Sequence, residues 1–173
     1  MQISHAIRLI DHHLKPGINT WADLGCGEGL FTKALSGFLP PDSLIYAVDT
    51  NKHALSKVSV KEGIALQVVE LDFVKDTLPL NSISGILMTN SLHFVKDKQA
   101  LIHKLTDYLC DDGYFLMVEY DTDTANHWVP YPVSFDSLKH LFAPFHYTAS
   151  KLMQLPSRYH GMMYSAIVKK NSR

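Results

Sequence analysis

Apolar residues recur along this chain at two spacings, and the switch between them sets out its elements. Ile3, Ile7, Ile10 and Leu14 fall three or four apart, so residues 2–15 are predicted as an amphipathic helix that Pro16-Gly17 stops. Short, nearly continuous apolar runs predict strands at Thr20–Leu24, Leu44–Val48, Ala65–Leu71, Ser84–Thr89 and Tyr114–Glu119. Helical segments are expected at 29–38, 51–58 and 97–109, with Pro40-Pro41 breaking the chain after the first and Asp111-Asp112-Gly113 turning it after the last. A polar, aromatic loop follows at 121–133, then a helix at 134–142 with Ser134 as its N-cap. Strands near 147–154 and 162–169 close the chain as a hairpin around Pro156 to Gly161. Alternating strands and helices favour a parallel sheet covered on both faces, with ligands taken at the carboxyl ends of the strands where strand order reverses.

Bulk properties narrow the class. With 173 residues the chain is long enough for one sizeable core, and 1–173 is expected to form a single domain with 1–16 as its N-terminal helix. The 16 basic and 17 acidic residues nearly cancel, which makes nucleic acid an unlikely partner. No apolar run approaches the ~18 residues of a membrane span, and the first residues lack the pattern of a secretory leader. The two cysteines, Cys26 and Cys110, are expected as reduced thiols, Cys110 in the core at a helix end, so a cytoplasmic location is expected. The ten histidines show no metal-ligand spacing, and no metal is expected.

The chemistry starts at Asp23-Leu24-Gly25-Cys26-Gly27-Glu28-Gly29, directly after one strand and opening a helix. Glycines there let a ligand approach the backbone closely. A dinucleotide site would want its third glycine at position 30, which is Leu30. An acidic residue also suits a cationic amine better than a pyrophosphate. Cys26 has nothing basic beside it to make it a nucleophile.

This string resembles the first motif of the class I S-adenosylmethionine-dependent methyltransferases, and the resemblance continues along most of the chain. It implies an α/β Rossmann-like three-layer sandwich, with a mostly parallel seven-stranded sheet and an antiparallel last strand. It further implies S-adenosyl-L-methionine as cofactor and S-adenosyl-L-homocysteine as product. Asp23, Gly25, Cys26 and Gly27 match the first motif; Asp49, followed by Thr50, matches the residue that holds the ribose diol. Asp72-Phe73 match the adenine frame, and Asn90-Ser91 match the segment after the fourth strand, near the methionine end.

Methyl transfer from a sulfonium is mainly a problem of alignment, so no general base is obligatory. His93, Asp121 and His127 are the candidates if one is used. Topology brings Tyr120, Asn126, Trp128 and Tyr131 of the loop after the fifth strand toward the acceptor, with Arg158, Tyr159 and His160 of the hairpin turn. The N-terminal helix, with His12 and His13, is a candidate lid. The sequence lacks the Asn/Asp-Pro-Pro-Tyr/Phe string of base and protein amino methyltransferases, a placed cytosine-type nucleophile and the Lys-Asp-Lys-Glu set of RNA ribose enzymes. A small metabolite is therefore the favoured acceptor, and one carrying a carboxylate or phosphate is a candidate. A protein or RNA acceptor and a non-catalytic S-adenosylmethionine-binding module are the alternatives. Few residues precede Asp23 to cover the site, so the 121–133 loop, a second subunit or a large acceptor must do so, and the chain is expected as a monomer or homodimer.

Overall fold

A computed structural model describes residues 1–12, 17–157 and 161–171. Seven strands form one sheet: β1 (Thr20–Leu24), β2 (Leu44–Asp49), β3 (Ala65–Glu70), β4 (Ile83–Thr89), β5 (Leu109–Tyr120), β6 (Tyr147–Pro156) and β7 (Met162–Lys170). Their spatial order is β3-β2-β1-β4-β5-β7-β6. Neighbours from β3 to β5 pair parallel, and β7 runs antiparallel to both β5 and β6. Strand order therefore reverses between β1 and β4, and the loops leaving those two strands flank the switch point.

The helices are α1 (Ile3–Ile10), α2 (Leu30–Ser36), the single turn α3 (Lys52–Leu55), α4 (Lys98–Thr106) and α5 (Phe135–Phe142). The strands feed both faces by their period of two. On β5, Phe115 and Met117 join the core under α4 and α5, where Leu101, Leu105, Leu138 and Phe142 are buried. Tyr114, Leu116 and Val118 point the other way, onto Ala6 and Leu9 of α1 and Phe31 and Leu35 of α2. Each large apolar side chain so buried stabilises the fold by roughly 1.5–3 kcal/mol. Ser134 caps α5 as its sequence predicts, its hydroxyl accepting from the Ser137 N–H at 3.1 Å.

Four local expectations are corrected. The first helix stops at Ile10 rather than running to 15. The His12 imidazole donates from Nδ1 to the Ile10 carbonyl at 2.7 Å and meets the Tyr114 hydroxyl at 2.9 Å, which turns the chain away. His12 thus packs at the amino end of the sheet, against Trp21 and Tyr114, away from the carboxyl ends of the strands; His13 lies outside the described residues. The fourth helix ends at Thr106, so Cys110 sits half-buried in β5 rather than at a helix end. Asp111-Asp112-Gly113 is no turn but a bulge in β5: Ile83 pairs with Leu109 and Gly85 with Tyr114, leaving the residues between them out of register. The alternation also lapses once, because β3 passes to β4 without a helix. Val68 of β3 is accordingly 45% exposed.

Candidate functional site

Each strand at the switch point ends in a residue whose backbone leaves the strand abruptly. After β1, Gly25 takes φ +76°, and its N–H reaches the Val48 carbonyl at 2.8 Å. A Cβ at Gly25 would stand 2.6 Å from the Cβ of Ser91, so the β1 and β4 loops approach as closely as a bare backbone allows. After β4, Asn90 holds φ +53°, a left-handed conformation uncommon for a side-chain-bearing residue, with its N–H on the Val118 carbonyl at 2.8 Å. Strain of this kind at a strand end motivates a functional reading of Asn90.

Two cavities open here. The first, about 440 Å³, is lined by Gly25, Asp49, Thr50, Asp72, Phe73, Val74, Asn90, Ser91, Phe94 and Val95. Asp49 is oriented by its own backbone surroundings: Oδ2 accepts from Gly27 N–H at 2.8 Å and Oδ1 from Asn51 N–H at 2.9 Å. A carboxylate has about four lone-pair sites, so each oxygen keeps capacity for a diol. Asp72 Oδ1 accepts from Val74 N–H at 2.9 Å, and Oδ2 pairs with Lys75 at 3.0 Å. Partial burial alone would raise this carboxyl, but Lys75 and the backbone N–H groups together hold it below the usual range. Asn90 Oδ1 and Ser91 Oγ are buried without a hydrogen-bond partner. Orphaned polar atoms at a cavity wall, together with the cradle at Gly25, are what a polar ligand would complete.

Asp23 and Cys26 of the first motif lie buried beneath the wall. Asp23 is fully buried; Oδ2 accepts from the Thr32 hydroxyl at 2.6 Å, and Oδ1 has no partner. Burial pushes its carboxyl up to about 7; the Thr32 hydrogen bond opposes this and the Asp49 charge adds to it. Cys26 is buried, and burial, reinforced by Asp23 and Asp49, drives its thiol well above the ordinary range. A thiol so poorly ionised is no nucleophile.

The second cavity, about 510 Å³, is lined by Met1, by His5, Arg8 and Leu9 of α1, Tyr120 at the end of β5, Leu155 to Ser157, Met163 and, again, Asn90. Among the described residues expected near an acceptor, the fold brings only Tyr120 to it. The 121–133 loop instead folds onto itself. Asn126 Oδ1 accepts from Trp128 and Val129 N–H, and Asp123 from the Ser134 N–H and hydroxyl. Trp128 is 74% exposed and lines neither cavity, with His127 edge-on beside it. Tyr131 sits under the Lys98 ammonium. Asp121 uses Oδ1 on Phe135 N–H and Oδ2 on Lys151 and Gln154. Arg158, Tyr159 and His160 lie outside the described residues.

His93 is 3% exposed and lines neither cavity. Its Nδ1–H donates to Glu119 Oε2 at 2.6 Å. Oε1 of the same carboxylate accepts from Leu92 N–H at 2.8 Å and His93 N–H at 3.3 Å. The ring lies between Phe94 of one cavity and Tyr120 of the other. Glu119 therefore pins the 90–94 loop to the end of β5. Sequence reading missed Glu119, and it missed His5 and Arg8; the only signal for them was a polar residue interrupting an apolar strand and an apolar helix. Among the described residues no cluster of side chains suits a metal ion, and no helix is long and apolar enough to cross a membrane.

Comparison with known proteins agrees with this architecture. Residues 22–117, more than half of the chain, match the family described as "Methyltransferase domain". A carboxy-S-adenosyl-L-methionine synthase from Dichelobacter nodosus is 36% identical over 103 residues, which cover 56% of this chain and 43% of that protein. The chain thus spans less than half the length of that relative. The YcgJ protein of Bacillus subtilis superposes with a TM-score of 0.70 at 11% identity, covering 99% of this chain and 98% of its own. A 1,6-didemethyltoxoflavin-N1-methyltransferase from Burkholderia thailandensis, solved with 1,6-didemethyltoxoflavin and S-adenosylhomocysteine, gives 0.65 at 18% identity, covering 90% and 72%. At such identities the structures establish the shared fold.

Proposed function

The chain belongs to the class I S-adenosylmethionine-dependent methyltransferase family, and we propose that it transfers a methyl group from S-adenosylmethionine in the Asp49–Phe73 cavity to a small molecule in the adjoining cavity. The observation that carries this reading is Asn90, which lines both cavities and holds a strained backbone with a buried, unpartnered Oδ1. The cofactor supplies a methyl on a good leaving group. The chain's part is to bind, align and exclude water. Asp49 is oriented to accept from a ribose diol, and Asp72 with Phe73 forms the wall for an adenine. Asn90 at the junction and Ser91 on the wall of the first cavity each carry a polar atom without a protein partner. Tyr120 and Met163 wall the acceptor side. His93, held by Glu119 and lining neither cavity, serves to position the Asn90–Phe94 loop rather than to take a proton.

The test is transfer of labelled methyl to separated fractions of a cell extract. Label is expected in the small-molecule fraction, and label confined to protein or RNA would overturn the acceptor class. The similarity to a carboxy-S-adenosyl-L-methionine synthase favours a second reading, in which the cofactor itself is modified. Mass spectrometry of the spent cofactor separates the two, since methyl transfer leaves S-adenosylhomocysteine and the second reading leaves a heavier sulfonium.

A further inference from the structure

We infer that the cavity beside Asn90 takes a small organic acid with an apolar body, and that Arg8 and His5 of α1 recognise the acid group. The inference rests on the methyltransferase reading, which it deepens by naming the acceptor class. Three observations lead to it. Ala6, Leu9 and Ile10 are buried and fix the rotation of α1 on the sheet. With that rotation His5 reaches the cavity together with Arg8 and Leu9, three and four residues on, and Met1 joins them from just before the helix. The remaining lining is Leu155, Pro156, Met163 and Tyr120, a surface for an apolar body, with Ser157 and Asn90 as neutral polar groups.

Charge then decides the ligand. Among the described residues no acidic side chain lines the cavity. Arg8 has no hydrogen-bond or ion-pair partner among the described residues, whereas the lysines at 57, 75, 139 and 151 each have a carboxylate. Arg8 lies in the last turn of α1, where a cation gains from the helix dipole, and that alone would account for it. It does not account for His5, one turn earlier on the same cavity wall. An always-charged guanidinium and an imidazole opening on an otherwise apolar cavity form a site for a carboxylate or an equivalent oxyanion. A cavity of about 510 Å³ is of the size that encloses a small metabolite, and its polar groups are few.

Two carboxylates could meet Arg8: that of the acceptor and that of the cofactor's own methionine. The experiment separates them. Phenylacetate and hexanoate are titrated calorimetrically into the 173-residue protein, with and without S-adenosylhomocysteine, against their uncharged primary amides. The same titrations are made on Arg8→Gln, a substitution at an exposed helix position that leaves the core intact. The inference expects the acids to bind and the amides to bind at least about tenfold more weakly. It expects Arg8→Gln to abolish that difference while leaving S-adenosylhomocysteine affinity unchanged. Equal binding of acid and amide, or no acid binding at millimolar concentration, would overturn it. Weakened S-adenosylhomocysteine binding in Arg8→Gln would also overturn it, by assigning the guanidinium to the cofactor. A wild-type protein that binds the acids but not S-adenosylhomocysteine would count against the cofactor reading and not against the acid site.

Discussion

Replacing Glu119 by leucine removes a buried carboxylate without opening a large cavity, and its cost can be worked out from the three donors it now satisfies. Leu92 N–H at 2.8 Å and His93 Nδ1–H at 2.6 Å are good bonds; His93 N–H at 3.3 Å is a weak one. A buried donor left without an acceptor costs about 1–3 kcal/mol. Two full losses and a discounted third come to roughly 3–5 kcal/mol, the range for breaking a buried pair from one side. With a urea slope near 2 kcal/mol/M, the unfolding midpoint should fall by about 2 M. Glu119→Gln is the informative control. Its carbonyl still serves both backbone N–H groups, and its amide donates to Nδ1 once the imidazole changes tautomer. Only the charge assistance is lost, about 1 kcal/mol. Equilibrium urea unfolding of the three proteins reads these values directly. Because the donors belong to the loop that carries Asn90 and Phe94, the leucine variant should also bind S-adenosylhomocysteine less tightly. A leucine variant within ~0.5 kcal/mol of wild type, the range of ordinary surface changes, would refute the account of Glu119 as the anchor of this loop.

Other consequences follow from burial and space. The Asp23 carboxyl, raised to about 7 from 3.8, favours its protonated form when folded. Its contribution to stability is therefore full below pH 4 and lost as pH rises toward 7. Asp23→Asn should accordingly match wild type in acid and exceed it above pH 7 by up to ~4 kcal/mol, measured as a pH series of urea midpoints; a difference independent of pH would contradict the assignment. Gly85→Ala should cost ~1–3 kcal/mol, since a Cβ there would meet the Trp21 indole at 2.5 Å, toward the amino ends of the strands and away from the ligand cavities; its loss should appear in thermal unfolding with S-adenosylhomocysteine affinity retained.

The parts of this molecule that were legible in its sequence are those encoded by local rules. The β1 strand, the glycine loop and Asp49 follow from an apolar run ending in residues that suit a backbone turning sharply. The Ser134 cap is equally local. What was illegible depends on contacts distant in sequence. The end of α1 is set by His12 meeting Tyr114, 102 positions away. The Asp111-Asp112-Gly113 string has turn chemistry, yet sheet pairing on both sides absorbs it as a bulge. Aromatic residues in the 121–133 loop looked like an acceptor wall, but Asn126 and Asp123 satisfy the loop's own backbone and leave Trp128 in solvent. The second cavity is lined instead by α1, whose apolar stripe predicts that it packs on the sheet but not which polar residues flank the stripe over a cavity.

The central claim is that the crevice between the β1 and β4 loops holds S-adenosylmethionine through Asp49. Calorimetric titration of the protein with S-adenosylhomocysteine, beside Asp49→Ala, tests it most directly. Asp49 would place two charge-assisted hydrogen bonds on the ribose, each ~1.5–3 kcal/mol, so one-to-one binding that weakens by about a hundredfold or more in the variant is predicted. A folded wild-type protein that does not bind, or a variant that binds as tightly as wild type, would contradict it.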